Sequence, residues 1–435
     1  MAKASRATAE QAHTTAPSLA HESLYVGVDI AKSQHIAGFV SHTLLSRHGR
    51  FEGCPALKFA NSRMGFRLLI DRIRDYVPLE QCFVLMEKTG HYHRALQEYL
   101  LEMDVSVYVM HVHARPRGMV KTDKRDALGL ANNLYNQLEK GAQMGDRTEI
   151  VHRAVPPTEA ASLLKGLMGH RYELQHESTK HRNQLTAICD QLFPEMTDVL
   201  KDPNSPTALG IRERFPTAQA IATATIDALS QAKGTSATKP GRAGLARLQD
   251  VAATSIGTKD VGRVRTLIFE QRQLIAELKL IREHTEQIDA EIEHIVETAR
   301  EGRILMSLPG IGLTTAAAIV AAVGHVDNFP NGGFLKAYFG WAPKRTQTGT
   351  TKDSDKLPRG GERTMRALIY MAAWRCVNTD EDFAAIYKRL VARKCPCDER
   401  KRDYVGKNVV MARICGQLCR RTGVTSPYAL RPGNP

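Results

Sequence analysis

The sequence predicts an α/β N-terminal domain, a helical middle and a mostly α-helical C-terminal domain. Three observations carry this. Two short apolar runs, Tyr25-Val26-Gly27-Val28 and Cys82-Phe83-Val84-Leu85-Met86, each end on an acid, Asp29 and Glu87. Apolar residues then recur every seven positions at Leu267, Leu274, Ile281, Ile288 and Ile295. The last third opens on a Pro-Gly turn, Leu308-Pro309-Gly310-Ile311-Gly312, followed by an Ala-rich helical stretch.

The bounds agree with several domains. The chain has 435 residues, 43% of them apolar, enough to build real cores. Lys and Arg number 60 against 46 Asp and Glu, a formal net charge of +14. The surplus is concentrated: residues 331–435 hold 21 Lys and Arg against 9 Asp and Glu. Such asymmetry points to a polyanionic partner, nucleic acid ahead of a membrane surface. No apolar run approaches the ~18 residues of a membrane span, and the N-terminus lacks a signal-peptide core. Eight cysteines in a chain this long do not make a disulfide scaffold. A reducing cytosol is the default expectation.

Residues 1–22 are rich in Ala, Thr, Ser and His, without periodicity, and read as a disordered tail. From residue 23 to 150 the pattern is α/β. The strand ending near Asp29 is followed by His35-Ile36-Ala37-Gly38-Phe39-Val40, a hairpin partner. The spacing around Phe66–Ile73 is helical. The strand ending in Glu87 precedes a helix over 91–102 and a strand over 105–110. Lys121-Thr122-Asp123-Lys124-Arg125-Asp126 then opens a helix that Thr122 or Asp123 can cap. Residues 151–300 read as two long helices separated by a Pro-, Gly-, Thr- and Ala-rich insertion or linker over 201–260. The heptad positions make a seam that Gln271 and Thr285 interrupt. It predicts either a coiled coil that assembles protomers or spaces domains, or a hairpin with the helix over 155–200. Residues 301–425 form the C-terminal domain, and 426–435 a tail.

The chemistry-bearing residues are Asp29, Glu87, Asp123 and Asp126: two acids at strand ends, and two at i, i+3 on one helical face. A carboxylate at a sheet centre is costly to bury without a partner. Hard oxygen ligands converging on a point suit Mg²⁺ or Mn²⁺. Lys121, Lys124 and Arg125 bracket the helical acids and suit contact with a phosphate backbone. The N–H groups around Gly310 and Gly312 can meet a phosphate. So can the helix start Arg359-Gly360-Gly361-Glu362-Arg363-Thr364-Met365-Arg366, through Arg359, Arg363 and Arg366.

The order strand-acid, hairpin, helix, strand-acid, helix, strand, helix-with-acids resembles a ribonuclease H-like fold of the RuvC kind. Val26–Lys32, Met86–Gly90 and Lys121–Ala127 closely resemble the acidic motifs of the DEDD-type insertion-sequence transposases. The C-terminal half agrees, through Leu308–Gly312, Gly340-Trp341-Ala342-Pro343 and Arg359-Gly360-Gly361. The resemblance covers most of residues 24–422.

It implies a DNA recombinase that excises and inserts a mobile element. Its implied partners are double-stranded DNA at the element ends and target, and a structured noncoding bridge RNA as guide. Further protomers, in a dimer or tetramer, are implied as well. It implies four metal-holding catalytic acids and a C-terminal nucleophile that links covalently to DNA. The family's nucleophile is a serine before glycine; here the matching residue is Thr348, in Gln347-Thr348-Gly349, with Ser354 as second choice. Threonine carries the same hydroxyl on a stiffer side chain. Two other readings compete: a RuvC-like junction endonuclease using metal-activated water and no protein nucleophile, and a non-enzymatic RNA-binding assembly protein. Cys395, Cys397, Cys415 and Cys419 make a poor zinc set, because one-residue spacing is too short. His91, His93, His111 and His113 lie close to the acids in sequence, with proton transfer open to His91.

Overall fold

The computed structural model describes residues 19, 21–87, 90–110, 122–141, 152–232, 240–329, 331–343, 357, 363–398 and 403–424. Arg359, Lys121, Thr348, Ser354, His111 and His113 lie outside them. The chain divides between Pro156 and Pro157 into two compact units.

The N-terminal unit is a six-stranded mixed sheet. Its strands are β1 (Leu24–Asp29), β2 (Gln34–Val40), β3 (Ala56–Ala60), β4 (Cys82–Glu87), β5 (Ser106–Met110) and β6 (His152–Arg153), in the order β3-β2-β1-β4-β5-β6. The first three run antiparallel, β1, β4 and β5 run parallel, and β6 is antiparallel at the edge. Helices α1 (His42–His48), α2 (Arg63–Arg74), α3 (His93–Glu102) and α4 (Asp123–Lys140) complete it. Ser62 caps α2, whose Phe66, Leu69, Ile70 and Ile73 recur at helical spacing and are buried. The continuous apolar runs of β1 and β4 are what a sheet covered on both faces requires. This mixed α/β domain is consistent with the ribonuclease H-like expectation.

The second unit is helical. Its two long members are α5 (Glu159–Leu192) and α10 (Val261–Thr298). Four short helices lie between them: α6 (Pro206–Arg214), α7 (Ala218–Thr223), α8 (Ile226–Ala232) and α9 (Arg242–Ala253). Helices α5 and α10 pack antiparallel. Arg171 meets Asp289 near one end, His181 meets Glu277 at mid-length, and Arg263 donates to Gln191 at the other. The seam residues Leu267, Leu274 and Leu278 pack with Leu185, Ile188 and Leu192; Ile281, Ile288, Ile292 and Ile295 pack with Ala161, Leu164, Met168 and Leu174. The heptad is therefore buried by a hairpin within the chain.

Gln271 interrupts the seam for a definite reason. Arg212 is buried, 3% exposed, and its guanidinium donates to Gln271 Oε1 at 3.0 Å, Leu185 O at 2.6 Å and Pro203 O at 2.9 Å. Gln271 Nε2 returns a bond to the Arg212 carbonyl at 3.1 Å. Burial holds the Arg212 pKa below its usual value. This network ties α6 to both long helices, so the described residues of 201–260 are not a loose linker. The described part folds as a helical cap around Phe193, Ile211, Ile221, Leu229, Leu245 and Leu248. Arg212→Ala removes four buried hydrogen bonds, to Gln271, Leu185, Pro203 and Asn204, and is expected to destabilise the chain by about 3 kcal/mol. Denaturant titration of that variant checks this.

The C-terminal helices are α11 (Arg300–Met306), α12 (Leu313–Val323), α13 (Gly332–Tyr338), α14 (Arg363–Thr379), α15 (Glu381–Lys394) and α16 (Asn408–Val424). A small hairpin of β7 (Cys397–Asp398) and β8 (Asp403–Tyr404) joins the last two. Cys415 and Cys419 sit fully buried on α16, and burial pushes the Cys419 thiol up to about 12. They are core thiols. Among the described residues, no helix is long and apolar enough to cross a membrane.

Candidate active site

The site is built on one strand pair and one helix. Strands β1 and β4 are parallel, with Gly27 beside Leu85 and Val28 beside Met86. One step further the register sets Asp29 beside Glu87, both half-buried at the strand ends. Side chains alternate along a strand, so Asp29 shares the face of Gly27. That face carries α4.

Helix α4 lies unusually close. A Cβ at Gly27 would stand 2.2 Å from both Ala127 O and Ala131 N, and 2.7 Å from the Leu130 Cβ. Gly38, paired with Gly27 across β1 and β2, meets Leu128 at 2.7 Å in the same way. The two glycines form a flat bed on which the helix backbone rests.

The helix runs antiparallel to β1. Its C-terminal part meets the strand's start: the Tyr25 hydroxyl donates to Glu139, and the Tyr25 ring meets Tyr135 edge-on at 5.4 Å. Leu130 sits over Gly27. Moving from Gly27 to Asp29 advances about 6.6 Å along the strand. One helical turn, from Leu130 back to Asp126, covers about 6 Å the other way. Asp126 is therefore the helical acid level with Asp29, on the sheet-facing side; its Oδ2 atom is buried. Asp123 lies nearly one turn further out, beyond the strand end, and is exposed. Thr122 caps the helix, accepting from Arg125 N at 3.3 Å.

The loop after Asp29 is pinned. Ala31 N–H donates to His35 Nδ1 at 3.3 Å, Asn61 Nδ2 donates to Lys32 O at 3.0 Å, and Asn61 N–H donates to Ser33 O at 2.9 Å. His35 is buried, stacks on Phe66 and meets Phe59 edge-on. Burial lowers its pKa below the usual imidazole value. His35, Asn61, Gly27 and Gly38 were missed as site-builders. Only the glycines left a sequence signal, since glycine inside a strand marks a close backbone approach.

Asp29, Glu87 and Asp126 offer hard oxygen donors of the kind Mg²⁺ or Mn²⁺ takes. Among the described residues, no three His, Cys, Asp or Glu groups stand close enough together to hold an ion. The fit is thus one of donor chemistry and placement on neighbouring elements. Of the basic residues, Lys124 is exposed, while Arg125 reaches back to Glu52 at 3.3 Å, a surface pair worth under about 1 kcal/mol. His91 is exposed and His93 buried.

In the C-terminal region the Pro-Gly turn joins α11 to α12. Gly310 has φ +74°, and a Cβ there would stand 2.6 Å from Ala372 O and Cys376 Sγ of α14. Helix contact alone requires this glycine. The Cys376 thiol donates to Pro309 O at 2.8 Å, and burial raises its pKa to about 11. Gly312 starts α12 without a side-chain cap, 3.6 Å from the Arg375 guanidinium as measured from an ideal Cβ. Arg366 turns inward and donates to Gly340 O at 3.3 Å, tying Gly340-Trp341 to α14. Arg363 opens α14.

Comparison with known proteins gives the same two parts. Residues 26–194 match the DEDD domain of IS110-type elements, described as "Transposase", and residues 302–388 match the "Transposase IS116/IS110/IS902 family". The 43.6 kDa protein of insertion element IS110 from Streptomyces coelicolor is 25% identical over 63% of this chain and 65% of its own length. The 44.8 kDa protein of insertion element IS116 from Streptomyces clavuligerus is 23% identical over 81% of this chain and 84% of its own. A probable family 20 transposase from Pseudomonas aeruginosa is 25% identical over 44% and 57%. The alignments thus span less than two thirds of the first and third relatives. The chain thus carries, in order, both transposase domains of the IS110/IS116 insertion sequences.

Proposed function

We propose that the chain is a DNA recombinase that cuts and rejoins the ends of an insertion sequence through a covalent protein–DNA intermediate. The observation that carries this is the placement of Asp29, Glu87 and Asp126: two parallel strand ends under the first turns of one close-packed helix. These residues, with Asp123, would hold Mg²⁺ or Mn²⁺, which stabilises the oxygens that enter and leave at phosphorus.

The chain's own groups do the rest. The Thr348 hydroxyl attacks the scissile phosphorus. The Thr348 Oγ–P bond forms and the bond from phosphorus to the leaving sugar oxygen breaks. The hydroxyl proton passes to solvent and the leaving oxygen takes one back. Rejoining is the same exchange with a new sugar hydroxyl. Lys124, Gly312, Arg359 and Arg363 contact DNA backbone. The basic surplus of residues 331–435 supports a large polyanionic substrate. A structured RNA guides the choice of donor and target by base pairing, and a dimer or tetramer supplies paired sites.

The test incubates the purified chain with element-end DNA, Mg²⁺ and the RNA encoded beside its gene. A denaturing gel and peptide mass spectrometry then read for a DNA-linked peptide. The expected adduct is on Thr348, and Thr348→Ala removes it. An adduct surviving in Thr348→Ala overturns that assignment and moves it to Ser354. Cleavage with no adduct at all overturns the covalent route in favour of hydrolysis.

A further inference from the structure

The cap helices and the start of α10 enclose a groove of about 1110 Å³, above the roughly 300–1,000 Å³ of small-molecule pockets. One wall is α10. There Arg265, Phe269 and Arg272 follow one another at i, i+4 and i+7, so they form a single stripe. Phe269 is 65% exposed, although it is a large aromatic ring. The lining also includes Thr217, whose hydroxyl caps α7, Ser255, whose hydroxyl donates to Glu195, and Gln219 and Thr258. Lys259 also lines the groove, and among the described residues no Asp or Glu does.

The cations are available. Among the described residues Lys259, Arg265 and Arg272 make no salt bridge. Their neighbours on the same helix are engaged: Arg263 donates to Gln191, and Lys279 to Glu213. The exposed ring and the unengaged cations therefore coincide at the groove.

We infer that this groove takes an unpaired stretch of RNA, a reading that rests on the guide-RNA partner proposed above. An exposed ring flanked by cations one turn to either side suits one base stacked on Phe269, with phosphates on Arg265 and Arg272. The Gln219 amide and the Thr258 hydroxyl, also in the lining, suit the 2′-hydroxyls that distinguish RNA from DNA. A second copy fits poorly. Two such stripes crossing antiparallel at Phe269 would set Arg265 against Arg272, like charge on like.

The test measures binding of a short fluorescein-labelled oligouridylate by anisotropy at several salt concentrations, using the full chain. Phe269→Ala is expected to weaken binding about tenfold. Arg265→Glu with Arg272→Glu is expected to weaken it at least as much and to lower the salt slope by about two. All three residues are exposed, so thermal melts stay as in the wild type. An oligouridylate bearing 4-thiouridine is expected to crosslink to the peptide holding Phe269. No oligouridylate binding by the wild type, or unchanged binding in these variants, overturns the inference. Equal affinity for oligothymidylate overturns the choice of RNA. A change of oligomeric state in Phe269→Ala without loss of RNA affinity assigns the stripe to a second copy instead. DNA cleavage independent of RNA would overturn the guide-RNA reading, and it is scored in a separate assay.

Discussion

Asp29→Asn is expected to cut DNA strand cleavage by about 10³-fold or more while leaving the fold intact. Loss of a single group that stabilises charge at the reacting centre costs 10²–10³ in other enzymes, and on the proposed function the lost charge would also hold the cation. Asparagine keeps the shape and the loop clamp on His35 and Asn61. The stability readout separates this from simple damage. In metal-free buffer Asp29→Asn is expected to fold and to melt in a single transition. Mg²⁺ binding the folded chain alone adds about 1.4 kcal/mol at tenfold excess over Kd and about 2.7 kcal/mol at hundredfold. If the proposed site holds Mg²⁺, wild-type protein is expected to melt higher with it, and Asp29→Asn to gain little. Undiminished cleavage, or the same Mg²⁺ gain in both proteins, would remove the acids from the catalytic centre.

The sheet and its two terminal acids were legible because β1 and β4 are short apolar runs with both faces covered, each stopped by one acid. The helix of Asp123 and Asp126 was legible from its cap and spacing. The α10 seam left two partners open, another protomer or the helix over 155–200, because period seven describes the buried stripe and does not choose what covers it. The polar Gln271 looked like a break in the register until Arg212 supplied its partner from 59 residues away. The cap escaped because its helices span only six to twelve residues, too short for a clear 3.6-residue period. Gly310 was legible as a turn but not as a landing site for α14, since no local pattern reports a helix arriving from residues 372–376. The nucleophile assignment rests on the sequence alone, for Thr348 lies outside the described residues.

Gly27→Ala is expected to show how far the site depends on that close approach. The added methyl would stand 2.2 Å from the Ala127 carbonyl oxygen and the Ala131 nitrogen, both backbone atoms of α4. Neither can rotate away, so the helix must lift. Overpacking of this kind costs about 3 kcal/mol. The functional cost is separable, because lifting α4 carries Asp126 away from Asp29, and a shift near 1 Å at a reacting centre costs about 10²-fold in rate. Gly129→Ala supplies the contrast. It lies in the same helix with nothing within 4 Å of its Cβ position. There alanine is expected to stabilise by about 0.5–1 kcal/mol, since glycine is the poorer helix former, and to leave cleavage unchanged. Opposite signs for one methyl group on the two sides of this contact would show that the bare backbone of β1 sets the position of the helical acids. Equal, small effects in melting and cleavage would show that α4 has room to move, and that Asp126 is placed by something other than Gly27.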